Sequence, residues 1–442
     1  MQKALILLVA AAWGQEPLGV RDAVRLALRG NPAAVAASQA VASAQSRVDQ
    51  ARGGRFPKVN YSESFTRSDN PVFVFSSLLT QHQFGETNFA IGPLNRPDAL
   101  NNFQSQLTFD QTLYDAGQTR QAVKAAALNR EMSEEEARGV RLSLIAGTAR
   151  VYYDVVLASE SLKTAEQAVR SAEADLRRAE NVRAAGLSTD VDVLSIRVHL
   201  ADVTEQRIRR AADFDVARAA LNDALGMPLD TAHSLTTALA PADLPELAAE
   251  DLEREAARER PDARQVHLAS SLAQTQADSA QTSLLPQVSC RSMLEADRQR
   301  FVTRGGSNWL ASISLRWNLF NGFSDKARID EAGHLLRRAE ADAKRVDSAV
   351  RLQVRRSYAD LRAAEQRIEV ARAAVAEAEE SLRITQNRYE AGMSNVTDLL
   401  RNETAVLESH TRCLAAVHDQ RVAAVMVELA AGRLSADSEV LN

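Results

Sequence analysis

The sequence predicts a mostly helical protein with a small β part, built from long helical hairpins and written twice along the chain. Three observations predict it. The phrase AAGLSTDVDVL at 184–194 returns as EAGMSNVTDLL at 390–400, 206 residues later, and long-range self-similarity signals a repeated architecture. No proline lies between Pro97 and Pro228 and none follows Pro286. Proline breaks helix interiors, so both stretches are free to be helix, and each holds one copy of the phrase. Finally, two segments of about ten residues that alternate apolar and polar side chains precede each stretch, which is the period of a β-strand.

The chain opens MQKALILLVAAAWGQE. Lys3, an apolar run over 4–13, and small residues Ala12 and Gly14 ahead of a cut before Gln15 form a secretory signal peptide, 1–14. The alternative is a buried N-terminal helix. The apolar run is too short to span a bilayer, and no other run of 18 apolar residues exists. The mature chain is therefore exported, and it is either soluble outside the cytoplasm or inserted as a β-barrel. Its net charge, −5 with the leader and 52 − 58 = −6 without it, offers no polyanion-binding surface, so no nucleic acid partner is expected. The composition is 45% hydrophobic but 5% aromatic, with much alanine, which suits helices in close contact.

The first repeat is expected over 15–228. A helix beginning near Pro32 leads to strands at about 58–68 and 103–113 and then a helical hairpin over 117–225. A linker over 229–260 follows. The second repeat, 261–432, carries a helix from Pro261, strands at about 287–296 and 309–319, and a hairpin over 323–431, ahead of a tail at 433–442. Pro32 and Pro57 recur as Pro261 and Pro286, an offset of 229. The offset becomes 206 because the first strand-to-strand loop, about 69–102, is 23 residues longer.

Within the long helices the period is seven. Val354, Leu361, Ile368, Val375, Leu382 and Tyr389 are spaced by sevens, and the last five correspond to Val155, Leu162, Val169, Leu176 and Arg183 in the first repeat. Ala364, Ala371 and Ala378, and Ala165, Ala172 and Ala179, follow three residues behind. A large residue at one seam position and alanine at the other is coiled-coil packing with close axes. Each phrase is then a helix-to-helix turn. Gly186 and Gly392 take the left-handed end of one helix, and Ser188 or Thr189, and Ser394 or Asn395, cap the next. Gly226 and Gly432 end the returning helices.

The strands carry one apolar and one polar face. Val59, Tyr61 and Phe65, or Trp309, Ile313 and Leu315, alternate with Asn60, Ser62 and Ser64, or Ser312, Ser314 and Arg316. A membrane barrel or a soluble sandwich fragment would fit each strand taken singly. Four strands cannot close, since the smallest barrels need about eight. Open edges in a bilayer leave backbone amides without water, so several chains must share one barrel.

With LYDAG at 113–117 and LFNGF at 319–323, where strand becomes helix, and the paired turns AAGLST and EAGMSN, the chain resembles the TolC-type outer-membrane efflux family over nearly its whole mature length. The resemblance implies a homotrimer in which twelve strands form a β-barrel through outer-membrane lipid and twelve helices form a tapered α-barrel across the periplasm. The implied function is the exit duct of a tripartite efflux or type I secretion system, with no enzymatic activity and no cofactor. A periplasmic adaptor protein, and through it an inner-membrane pump, would dock at the turns Gly186, Leu187, Ser188 and Gly392, Met393, Ser394. The loops 69–102 and about 297–308 would face outside, the first partly covering the mouth.

The same resemblance marks a gate. Asp398 matches a position lining the constriction, where three copies would ring the axis with carboxylates and favour cations. Ordinary helix-dipole compensation also explains an acid there, as it does for Asp190. Asp192 and Tyr389 match positions that latch the two hairpins together. Ser394 stands where a basic latch residue can occur, and Arg401 where a second acidic ring can occur. Arg401 therefore weakens cation selectivity and offers Asp398 an internal ion pair.

Other chemistry is not indicated. His410 and Cys413 lie three apart on a helix without an evident third metal ligand, and Cys290 forms no motif with Cys413. No HExxH, GxSxG or phosphate-binding loop occurs. Gly139, Gly147 and Gly333 are expected at close helix contacts. The segment LEREAARERPD at 252–262 reads as a solvated helix face. The heptads alone would also permit a secreted, elongated coiled-coil scaffold without a pore, but such a scaffold has no need of duplicated amphipathic strands.

Overall fold

The computed structural model describes residues 17–185, 189–242, 248–302 and 305–442; the expected signal peptide lies outside them. The first repeat runs β1 (Pro17–Leu18), α1 (Val20–Gly30), α2 (Pro32–Gly53), β2 (Lys58–Ser68), α3 (Pro71–Thr80), a 3-10 turn at Glu86–Phe89, α4 (Ile91–Asn95), β3 (Leu100–Tyr114), α5 (Gln118–Ala184) and α6 (Asp190–Leu225). The second runs β4 (Ser234–Leu235), α7 (Ala249–Glu259), α8 (Pro261–Thr282), β5 (Gln287–Arg298), β6 (Gly306–Arg316), α9 (Ser324–Glu390) and α10 (Val396–Ala431), ending in a 3-10 turn at Glu439–Leu441.

The hairpins are duplicated exactly in length. Helices α5 and α9 have 67 residues each, and α6 and α10 have 36. Helices α1 and α7, 11 residues each, stand 249 − 20 = 229 positions apart. The segment expected as a linker over 229–260 thus contains the counterpart of α1, and the second repeat begins by Ala249. Nor is the 252–262 segment solvated all round: Leu252 and Ala256, four apart on α7, are fully buried. The dense charges around them conceal a narrow apolar stripe.

Two compact units are present. One comprises the chain up to Val41, Ser133–Val266 and Ala343–Asn442. Its core joins Val24, Tyr152, Leu221, Leu252, Val354, Val425 and Leu441. The Tyr152 hydroxyl donates to the Leu18 carbonyl at 2.8 Å, which satisfies a polar atom that would otherwise be costly to bury. The tail is folded into this core through Leu434, Val440 and Leu441. Along α5 the seam alanines Ala165, Ala172 and Ala179 are the buried residues, while Leu162, Val169 and Leu176 remain half-buried in the single chain. Gly139 lies in ordinary contact with Pro261, whereas Gly147 faces open space, contrary to its expected close contact.

The other unit, Ala42–Met132 and His267–Asp342, holds an antiparallel sheet ordered β2-β3-β5-β6. Gly333, in this unit, also faces open space. Strand β6 begins three residues earlier than expected, and Trp317, Asn318 and Leu319 leave the ladder. Its last pair is Gln287 with Arg316, and the next residue of the partner strand is Pro286, which has no N–H to donate. The register sets Tyr61 opposite Leu107, Leu107 opposite Leu294 and Leu294 opposite Trp309, so the apolar residues share one face. Ser62, Gln106, Glu295 and Asn308 line the other. Among the described residues neither β2 nor β6 has a partner on its outer edge. Sheet turns to helix through left-handed pairs, Ala116–Gly117 and Gly322–Phe323. Asp115 accepts from the Gly117 and Thr119 amides, and Asn321 from the Asp325 amide, which explains LYDAG and LFNGF as helix starts.

Candidate functional site: paired turns and a buried acid cluster

Helix α5 ends and α6 begins on either side of Gly186, Leu187 and Ser188, which lie outside the described residues. The restart is capped by Thr189. Its hydroxyl accepts from the Asp192 amide at 3.3 Å while the Asp192 carboxylate accepts from the Thr189 amide at 3.1 Å, a reciprocal capping box. Arg183 spans the turn to Asp190 at 2.6 Å.

In the second turn Gly392 adopts φ +71°, a left-handed conformation costly to any residue with a Cβ. The Met393 amide donates back to the Arg388 carbonyl at 2.8 Å and closes α9. Met393 is exposed and Ser394 half-buried. Asn395 caps α10 by accepting from the Asp398 amide at 2.8 Å. The Ser394 hydroxyl donates weakly to the Asp398 carboxylate at 3.5 Å, and Arg401 approaches the same carboxylate at 3.8 Å. Both members of that pair are substantially exposed, so it contributes little.

Tyr389 packs against a small core of Ala179, Val193, Ile196 and Val396 with Leu176 and Leu400, which brings four helices together above the turns. Burial raises its hydroxyl pKa, and the neighbouring Asp192 and Asp175 charges raise it further. Asp192 and Tyr389 are therefore near neighbours across the two hairpins, whereas Asp398 and Arg401 belong to one helix turn.

Sequence reasoning missed a second feature beside this core. Asp175 on α5 and Glu403 on α10 are almost fully buried, with side-chain exposures of 6% and 8%. His199 on α6 meets Glu403 at 3.2 Å, and Arg178 on α5 reaches both Asp175 at 3.5 Å and Glu390 of α9 at 3.1 Å. Burial, then the adjacent Glu403, pushes the Asp175 carboxyl up to about 8. Burial alone would raise Glu403 too, but His199, Asp175 and Arg178 outweigh it and hold Glu403 below its usual range. These opposite shifts favour a proton on Asp175 beside an ionised Glu403. The available signal was an acid in the seam, placed between Ala172 and Ala179 at three- and four-residue spacing. His410 meets Glu379 at 2.9 Å, and among the described residues no three His, Cys, Asp or Glu side chains are grouped to hold a metal.

Two hairpins with capped restarts, and an amphipathic sheet whose edges are open among the described residues, fit a membrane-inserted channel. The chain belongs to the outer membrane efflux protein family, whose model matches residues 23–227 and 252–433. It is similar to Protein CyaE of Bordetella pertussis, 31% identical over 352 residues that cover 76% of this chain and 72% of that protein. The fold is shared with the Campylobacter jejuni CmeC outer membrane channel, with TM-score 0.79 and 17% identity over 98% of this chain and 92% of that one. It is also shared with the outer membrane protein VceC of Vibrio cholerae, with TM-score 0.76 and 18% identity over 93% and 96%. The protein is thus an efflux-type channel of the outer membrane.

Proposed function

We propose that three copies build one exit duct, with their twelve strands closing a barrel through the outer membrane and their hairpins forming a periplasmic tube. The observation that carries this is the sheet. Its apolar face exposes Trp309, Ile313 and Leu315, its other face is polar, and among the described residues both edges are unpaired. Only closure with other copies satisfies those edges in lipid. Three copies leave a water-filled lumen, while two would give eight strands and a filled interior. A scaffold without a pore has no use for such a sheet.

The turns around Gly186, Leu187, Ser188 and Gly392, Met393, Ser394 are the docking points for a periplasmic adaptor, which couples the duct to an inner-membrane pump. Asp192 with Tyr389 latches the two hairpins, and Asp398 faces the constriction with Arg401 tempering its charge. Extraction from outer membranes in detergent, mass measurement and single-channel recording test the reading. A species of three chain masses with discrete conductance is expected. A monomer that stays dissolved without detergent would overturn it.

A further inference from the structure

The connection between β2 and β3 is itself folded. Asn70 caps α3 by accepting from the Val72 and Phe73 amides, and Phe84 packs edge-on against Phe75 and Phe89 at 4.8 and 5.0 Å. A cavity of about 240 Å³ lies beneath, lined by Val74, Leu78, Phe84 and Leu94. The segment is fastened to the polar face of the sheet. Gln81 donates to the Asn102 side chain at 2.8 Å, and Asn102 donates to Asp297 at 2.6 Å. Asn308 of β6 donates to the Thr80 carbonyl at 3.3 Å. Gln81, Asn102 and Asp297 are all buried. The approach is so close that a Cβ at Gly306 would collide with the Thr80 carbonyl.

Helix α3 therefore has two sides. Val74 and Ser77 turn inward and Phe75 leans on Phe84, while Val72, the outer edge of Phe75 and Leu79 form an exposed stripe, Val72 being 78% exposed. No Asp, Glu, Lys or Arg occurs from Asn70 to Gly85. An uncharged apolar stripe on the wet side of a barrel wall requires a cover. The distances supply one. Twelve strands about 4.8 Å apart and tilted about 40° give a radius of about 12 Å. A helix with its side chains is about 10 Å across. Helix α3, standing on the wall, therefore spans most of the radius and comes within a few ångströms of the axis, about 2 Å by these figures, where the other copies of itself can meet it.

We propose that α3 is an inward-folded lid whose Val72, Phe75 and Leu79 stripe packs against the same stripe of the other two copies, sealing the outer mouth with an apolar plug. The proposal rests on the trimeric reading above and adds to it a second barrier, remote in sequence from the turns.

The test uses the full mature chain with Cys290→Ser and Cys413→Ala, carrying one new cysteine at a time, oxidised as the detergent-solubilised trimer. Val72→Cys and Leu79→Cys are expected to yield covalent dimers, at most about two-thirds of chains because one cysteine per copy can pair only two of three. Ser62→Cys, on bare polar wall about 20 Å from its equivalents, should yield none, since a disulfide needs Cα atoms within about 7 Å. Adding Gly306→Val should displace the lid and abolish the Val72→Cys dimer without dissociating the trimer. Intact trimers without dimer from either lid position would overturn the lid alone. Absence of trimers by native mass would overturn the assembly reading and the lid with it.

Discussion

Replacing Asp175 with Asn mimics the protonated carboxyl and removes its titration. Raised from 3.8 to about 8, the native group must hold a proton that the unfolded chain releases near pH 4. A raised carboxyl binds more protons folded than unfolded between those values, so its contribution to stability is full below about pH 4 and is lost as pH rises to about 8. The loss is on the order of 2 kcal/mol at pH 5 and 4 kcal/mol at pH 7. Any fixed difference in packing between Asn and Asp is the same at both pH values and cancels. Glu403 is held below its usual range by His199, Asp175 and Arg178. Hydrogen exchange of amides in 172–179 and 399–406, variant against wild type at matched pH, reads the local opening energy. The variant-to-wild-type ratio of protection should grow by about a hundredfold between pH 5 and pH 7 and level off above pH 8. A ratio unchanged with pH would refute the shared proton.

Gly392→Val forces a β-branched residue to φ +71° at about 1–2 kcal/mol or more, so export should fail while trimers persist; normal export would remove the turn as a docking point. Asp398→Ala should raise the anion-to-cation permeability ratio in planar bilayers, and unchanged selectivity would leave the carboxylate as a helix-start charge only. Trp309→Arg, on the apolar face, should cost about 2–4 kcal/mol and reduce outer-membrane assembly, whereas Ser64→Arg on the opposite face should assemble normally. Equal assembly of the two would reverse the assignment of faces.

Local pattern made the long helices and the strands legible. Absence of proline and a sustained heptad mark α5 and α9, and alternation from Lys58 to Ser68 coincides with β2. Where a partner sets the boundary, local pattern misleads. Trp317 and Leu319 continue the alternation of β6 after Pro286 has ended its ladder. Helix α7 was obscured because Leu252 and Ala256 are two apolar residues among charges. The lid helix carried a readable signal, Asn70–Pro71 ahead of an uncharged run, but its position on the sheet depends on Gln81, Asn102, Asp297 and Asn308, which are brought together only by folding. The acid cluster was the least legible, since Asp175, His199, Glu390 and Glu403 come from four helices and no short window holds two of them.

The equal lengths of the two hairpins have a further consequence. In the trimer proposed above, hairpins of matched length would present six elbows of two chemical kinds. One kind is bridged by Arg183 and Asp190, and the other is capped by Asn395 beside Ser394. On that trimer a ligand ring of six identical modules would meet the two kinds of seat in alternation, so its members would be bound with two affinities.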